Sequence, residues 1–315
     1  MSTHSGTVAL VGRPNAGKST LLNTLVGARI AAVSRRPQTT RTRLVGAWTR
    51  EGFQAVLVDT PGIHVARSPL NTFMVREAEQ ALEDVDAACW IIDAETLAGQ
   101  MPRKRLGVDD PARGGAVLDG DLGLVRERLG ELPVVVALNK VDLVDKPALL
   151  PVMQAVQDAI APHAIVPISA TRAEGMDGLA RALGGVLPEQ DFLLPEDHVT
   201  DALERQIAAE LIREQVFEYT SQEVPYATAV EIERFDESAR AEGRVHIHAK
   251  IVCEKASQKA ILIGAGGAMI KRIGTSARRR IRELVDCQVR LDLFVVVEPD
   301  WTTRPKALRG FGYAG

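Results

Sequence analysis

The chain has 315 residues, 46% of them hydrophobic and 25% charged, the balance of an ordinary globular protein with length enough for two domains. No apolar run is long enough to cross a bilayer, and residues 1–7 lack the charged-then-apolar order of a secretion signal. The net charge of −3 hides an asymmetry: residues 250–315 carry 13 Lys and Arg against 6 Asp and Glu, whereas residues 1–249 carry 25 against 35, so the C-terminal part is expected to meet an anionic partner.

Residues 7–11 predict a short buried strand running into Gly12-Arg13-Pro14-Asn15-Ala16-Gly17-Lys18-Ser19. Residues 18–26 predict a helix with Leu21, Leu22 and Leu25 on its inner side. Strand, G-x-x-x-x-G-K-S and helix together make a phosphate cradle. Main-chain N–H groups from Asn15, Ala16, Gly17, Lys18, Ser19 and Thr20 converge on phosphate oxygens, and the helix N-terminus adds positive potential. The glycines, Gly12 included, allow the close approach. Lys18 is expected on the β- and γ-phosphates and the Ser19 hydroxyl on Mg²⁺. Residues 44–48 and 55–58 predict two strands around a Glu51-Gly52 turn. Asp59-Thr60-Pro61-Gly62 follows, with the Asp59 carboxylate expected to hold Mg²⁺ through water and the Gly62 N–H to face the γ-phosphate.

Next come a helix over 71–83, with Asn71 as its cap, and three more buried strands at 87–92, 134–138 and 165–168. The alternation implies a mostly parallel six-stranded sheet covered on both faces. Residues 97–116 are rich in Gly, Pro, Arg and Asp and read as a flexible surface loop. Asn139-Lys140-Val141-Asp142 ends the strand at 134–138 and reads a base. Asp142 can accept from guanine N1–H and from the 2-amino group. Adenine would leave a desolvated carboxylate unpartnered, at a cost on the order of several kcal/mol. Asn139 supports the base and ties loops together, and Lys140 lays its stem along the ring. Ser169-Ala170 brings an Ala170 N–H to guanine O6. These residues imply guanine nucleotide binding and argue against an ATP-dependent kinase or ATPase.

Cys89, Cys253 and Cys287 fit no zinc or disulfide spacing, which suggests a reducing, cytoplasmic setting. Residues 188–198, with two prolines and several acids, mark a domain boundary. Beyond it the order is a helix at 201–219, strands at 227–235 and 244–254, helices at 257–263 and 268–285 about a glycine-rich turn, and a strand at 288–298.

Taken with Ser34-Arg35-Arg36-Pro37-Gln38-Thr39-Thr40-Arg41, Pro195-Glu196-Asp197 and the stretch from Pro225-Tyr226 onward, these motifs resemble the Era family of GTPases over almost the entire chain. The resemblance implies a Ras-like, α/β P-loop GTPase domain at 1–187, a linker at 188–200 and an α+β type II KH domain at 201–315. It implies hydrolysis of GTP to GDP and phosphate with Mg²⁺, binding to the 3′ end region of 16S ribosomal RNA, and a part in maturation of the small (30S) ribosomal subunit. The chain is expected to be a cytoplasmic monomer. Some members of the family are also found at the inner face of the cell membrane, which extends the expectation to peripheral association. Gln38-Thr39-Thr40-Arg41 becomes the switch I loop, with Thr40 on Mg²⁺ and the γ-phosphate and Thr39 as second choice. Lys18, Thr40 and Gly62 form the expected catalytic set. Ile63 stands where Ras-like enzymes place a water-orienting glutamine, so intrinsic hydrolysis is expected to be slow or helped. Related GTPases with an Asn at the position of Asn15 use it to hold K⁺.

Gly264-Ala265-Gly266-Gly267 matches the KH G-x-x-G turn, a groove for about four nucleotides of single-stranded RNA. Lys271 and Arg272, with Arg278, Arg279 and Arg280, supply positive charge, and Ile261, Leu262 and Ile270 are candidates for an apolar floor. The pair Ala265-Gly266 lacks the basic residue that KH turns usually carry between the glycines. Docking of the basic end on a protein or an anionic membrane stands as the rival use.

Overall fold

The computed structural model describes residues 3–34, 36, 41–61, 69–100 and 129–313. By contacts the chain divides into two compact units. The first takes residues 1–27, 43–65 and 75–200, and the second takes 28–42, 66–74 and 201–315, each where described.

The first unit is built from β1 (His4–Val11), α1 (Lys18–Val26), β2 (Leu44–Arg50), β3 (Phe53–Asp59), most of α2 (Pro69–Glu83), β4 (Ala87–Asp93), α3 (Ala94–Gln100), β5 (Val134–Asn139), α4 (Lys146–Ile160), β6 (Ala164–Pro167) and α5 (Met176–Gly184). Its six strands lie in the order β2-β3-β1-β4-β5-β6, with only β2 antiparallel to its neighbour. Every residue of β3 is buried, which is why its sequence reads as a continuous run rather than an alternation. The order turns about β1, whose neighbours are β3 and β4. Loops at the carboxyl ends of parallel strands open a crevice at such a point.

Three details differ from the sequence expectations. Helix α2 starts at Pro69, so Asn71 lies inside the helix rather than at its cap; proline's fixed φ suits a first turn. Residues 97–100 belong to α3, anchored by buried Leu97, and residues 101–116 of the expected loop lie outside the described residues. Residues 188–200 are bonded along the first unit. Ser5 N–H donates to the Pro188 carbonyl (3.1 Å), Gln190 N–H to Thr3 (3.0 Å) and Ala47 N–H to Val199 (2.9 Å). The side chain of fully buried Gln54 both donates to the Leu194 carbonyl (2.8 Å) and accepts from its N–H (2.9 Å).

The second unit adds α6 (Glu204–Tyr219), β7 (Thr228–Asp236), β8 (Arg244–Cys253), α7 (Ala256–Ile263), α8 (Ala268–Val285), β9 (Gln288–Val297) and α9 (Pro305–Gly310). Its sheet runs β7-β8-β9, antiparallel then parallel. Helix α8 buries Ile273, Ala277, Ile281 and Val285 on one stripe and leaves Lys271, Arg272, Arg278 and Arg279 exposed. Helix α9 was not anticipated. Its Leu308 packs in a core with Trp301, Tyr313, Leu70 and Met74, and the Trp301 Nε1–H donates to the Ala227 carbonyl (2.9 Å). Among the described residues no helix is long and apolar enough to cross a membrane.

Candidate functional site

The glycine-rich loop leaves β1 in a conformation its sequence dictates. Gly12 (φ 153°) and Gly17 (φ 102°) occupy backbone regions that L side chains rarely adopt. Space is closed as well: a Cβ on Gly12 would run into the Ile91 carbonyl, and one on Gly17 into the Asn139 amide. Asn15 also has a positive φ (67°), and the Ala16 N–H closes the turn on the Arg13 carbonyl (3.2 Å). Lys18 is buried, and its Nζ donates to the carbonyls of Gly12 (3.1 Å) and Arg13 (3.3 Å). Burial holds the Lys18 pKa below its ordinary value, an effect that the charge of Asp59 opposes. A desolvated ammonium inside a cradle of main-chain groups is the environment a phosphate would complete.

Fully buried Asp59, at the carboxyl end of β3, accepts the Ser19 hydroxyl at 2.8 Å. One hydroxyl and one carboxylate therefore meet at the first turn of α1, a hard oxygen pair that fits Mg²⁺ beside a phosphate. Next to it the Thr60 hydroxyl donates to the Leu10 carbonyl (2.9 Å) and pins the exit of β3 to β1. Thr20 lies on the same turn, its carbonyl accepting the Thr24 hydroxyl (3.0 Å). Thr40 and Gly62 fall outside the described residues, as do Gln38, Thr39 and Ile63.

The base-reading residues are assembled by Asn139 at the end of β5. Its Nδ2 donates to the Ala16 carbonyl (2.8 Å), and its Oδ1 accepts the Ala170 N–H (3.0 Å). One buried amide thus ties the phosphate loop to the loop after β6. The second bond fixes the place of the Ala170 N–H, the group expected at guanine O6, beside the Asn139 amide. Thr24 reinforces the tie by donating to the Ala170 carbonyl (2.8 Å). Ser169 exchanges main-chain bonds with Glu174 (3.1 Å each), and its hydroxyl accepts the Arg172 N–H (3.3 Å).

Lys140, at φ 65°, pairs its Nζ with Asp93 Oδ2 (2.6 Å). Asp142 is 10% exposed, and its Oδ2 lies 3.5 Å from Arg172 Nε. Sequence reasoning missed both partners. Asp93 had a signal, since it ends β4 in register with Asn139 at the end of β5. Arg172 had none.

The largest omission is Arg41. In the second unit its buried guanidinium donates to the carbonyls of Thr228 (2.7 Å), Tyr226 (2.9 Å) and Pro225 (3.3 Å), and lies 5.9 Å from the Trp301 ring and 5.5 Å from that of Tyr313. Upstream in the same segment, Glu214 pairs with Arg29 (2.5 Å) and accepts the Val33 N–H (3.1 Å).

The glycine turn between α7 and α8 has Gly264, Gly266 and Gly267 all at positive φ (71°, 58° and 81°). A Cβ on Gly264 would meet Met269 at 2.8 Å, while Gly266 and Gly267 face open space. Ala265 and Gly266 are exposed. Lys271 is exposed, whereas the Arg272 guanidinium lies 4.2 Å over the Tyr219 ring. Of the expected floor, Ile261 is 47% exposed but Leu262 is fully buried, because α7 turns it into the core.

A family model for 50S ribosome-binding GTPases matches residues 7–140, and a KH domain model matches residues 223–302. Similar proteins include GTPase Era of Geobacter sp. (strain M21), 42% identical over 311 residues (98% of this chain and 97% of the relative). Another is GTPase Era of Halothermothrix orenii, 40% identical over 316 residues and the full length of both. Among solved structures, a single-residue variant of Aquifex aeolicus Era bound to GDP·AlF4⁻ superposes with a TM-score of 0.86 at 34% identity, over 99% of this chain and 100% of that one. An Era complex with MgGDPNP and nucleotides 1506–1542 of 16S ribosomal RNA gives 0.87 at 34% identity over the same shares.

Proposed function

This chain belongs to the Era family of GTPases, and from that footing we propose that it hydrolyses GTP to GDP and phosphate, binds the 3′ end region of 16S ribosomal RNA, and assists maturation of the small ribosomal subunit. We read residues 1–187 as the GTPase domain and 201–315 as the KH domain, joined by a linker at 188–200 that runs bonded along the first unit. The observation that carries the reading is the convergence of Asn139 on Ala16 and Ala170, which joins phosphate loop and base loop through one side chain. The solved relative in complex with MgGDPNP and 16S ribosomal RNA supports both ligands at once.

In this reading Lys18 contacts the β- and γ-phosphates, and the backbone from Asn15 to Thr20 donates to their oxygens. Asp142 selects guanine, and Lys140 covers the ring. Ser19, Asp59 and Thr40 hold Mg²⁺, which neutralises charge on the phosphate oxygens when bound. Gly62 faces the γ-phosphate. Asn15 holds K⁺, which would show as faster hydrolysis in K⁺ than in Na⁺. Gly264, Ala265, Gly266 and Gly267 carry the RNA backbone, with Lys271 and Arg272 supplying charge. The protein works in the cytoplasm, with peripheral membrane association as a secondary location.

The test is Asp142→Asn. Asparagine cannot accept from N1–H and the 2-amino group together, so GTP affinity is expected to fall by roughly 100-fold and xanthosine triphosphate to become the preferred ligand. Unchanged selectivity in competition titrations would refute the guanine assignment. Crosslinking the wild-type protein to RNA, with GTP, GDP and no nucleotide, reads the RNA site separately. Crosslinks away from residues 264–272 would refute the KH assignment.

A further inference from the structure

Strand β8 places His246 and His248 two residues apart, so both imidazoles leave the same side of the sheet. Parallel β9 is registered so that Arg290 lies beside His246 and Asp292 beside His248. The three side chains converge. His246 Nε2 is 2.7 Å from Asp292 Oδ2, His248 Nδ1 is 3.8 Å from the same oxygen, and the two rings are 4.1 Å apart. One ligand atom from each residue lies within 4.8 Å of the other two.

We propose that His246, His248 and Asp292 form a binding site for a divalent transition-metal ion of the zinc class. Two imidazoles and a carboxylate are a donor set of borderline softness, suited to Zn²⁺, Ni²⁺ or Cu²⁺ and unsuited to Mg²⁺, which prefers oxygen alone. The site is therefore chemically separate from the Ser19–Asp59 oxygens. A tetrahedral ion with bonds of about 2.0–2.2 Å needs its ligand atoms roughly 3.3 Å apart. The separations of 2.7 and 3.8 Å straddle that value, so small side-chain rotations suffice while the backbone stays in register. The side chains are 30–31% exposed, which leaves the remaining coordination positions to water.

The surrounding charges set the affinity. Arg290 Nε is 3.6 Å from Asp292 Oδ2 and competes with a cation for that carboxylate. On β7, Arg234 lies opposite His248 and Asp236 opposite His246, but these two pair with each other at 2.5 Å.

The experiment titrates Zn²⁺ into the chelator-treated full-length protein against a chromophoric competitor. The wild type is expected to take one Zn²⁺ per chain at this site. His248→Gln and Asp292→Asn should each weaken that uptake by roughly 10-fold or more, and Arg290→Gln should leave it intact or tighten it. Far-UV circular dichroism confirms that each variant is folded, with His246→Asn as the substitute if one is not. Equal zinc uptake by wild type and the two ligand variants, or no saturable uptake by the wild type, would overturn the assignment.

Discussion

Two glycine turns in this chain do similar work under opposite constraints. At Gly12 and Gly17 the backbone region and the surrounding atoms both demand glycine, since the Ile91 carbonyl and the Asn139 amide fill the place of a Cβ. At Gly266 and Gly267 only the backbone demands it, because nothing lies near. The phosphate loop is thus closed in from outside by Ile91 and Asn139, and braced from within by the bonds of Lys18 to the Gly12 and Arg13 carbonyls. The turn at 264–267 is held by its own φ and ψ angles and keeps its outer side open. A cradle that must enclose a small polyanion is built by the first device, and a rim that must admit a polymer chain by the second.

Gly17→Ala would break this contrast most severely. It adds backbone strain and displaces the Asn139 amide, so guanine nucleotide affinity is expected to fall by roughly 100-fold or more, read by titration with a fluorescent GDP. Survival of tight binding would mean that the loop yields easily.

Lys18→Met asks whether the cradle is strained while empty. The folded-state pKa of Lys18 is depressed from 10.5, first by burial. Folding therefore disfavours its charged form. The nucleotide-free protein should gain stability as the pH is raised through that folded pKa towards 10.5. Lys18→Met should abolish nucleotide binding, raise the urea midpoint of the nucleotide-free protein at pH 7 and flatten its alkaline rise. Lys271→Met, on an exposed side chain, should change neither.

The smallest effect belongs to Gly266. Alanine there pays only the left-handed backbone cost, about 1 kcal/mol, whereas Gly266→Asn should be nearly neutral in denaturant unfolding because Asn tolerates that region. A larger loss for both would show that the turn is sterically closed after all.

The site was legible where chemistry sits at strand ends. Asp59 and Asn139 close β3 and β5, and their surroundings follow from short contiguous motifs whose spacing survives folding. What stayed hidden depends on partners distant in sequence. Arg41 is one arginine in a polar run, and its burial is set by carbonyls about 185 residues away, which no periodicity announces. The fastening of residues 188–200 uses main-chain groups and the scattered side chains of Ser5, Gln54, Gln190 and Thr200, a set that leaves no compositional trace. Leu262 and Ile261 are adjacent apolar residues, and only the rotation of α7 decides which is inside.

Arg41 has a mechanical consequence. It is clamped among aromatic rings and carbonyls of the second unit, yet the chain joins the first unit at residue 43 and enters β2 at Leu44. Three peptide links, at most about 11 Å of extended chain, make the tether between clamp and strand. A line with so little slack leaves Thr42 and Arg43 few conformations to explore.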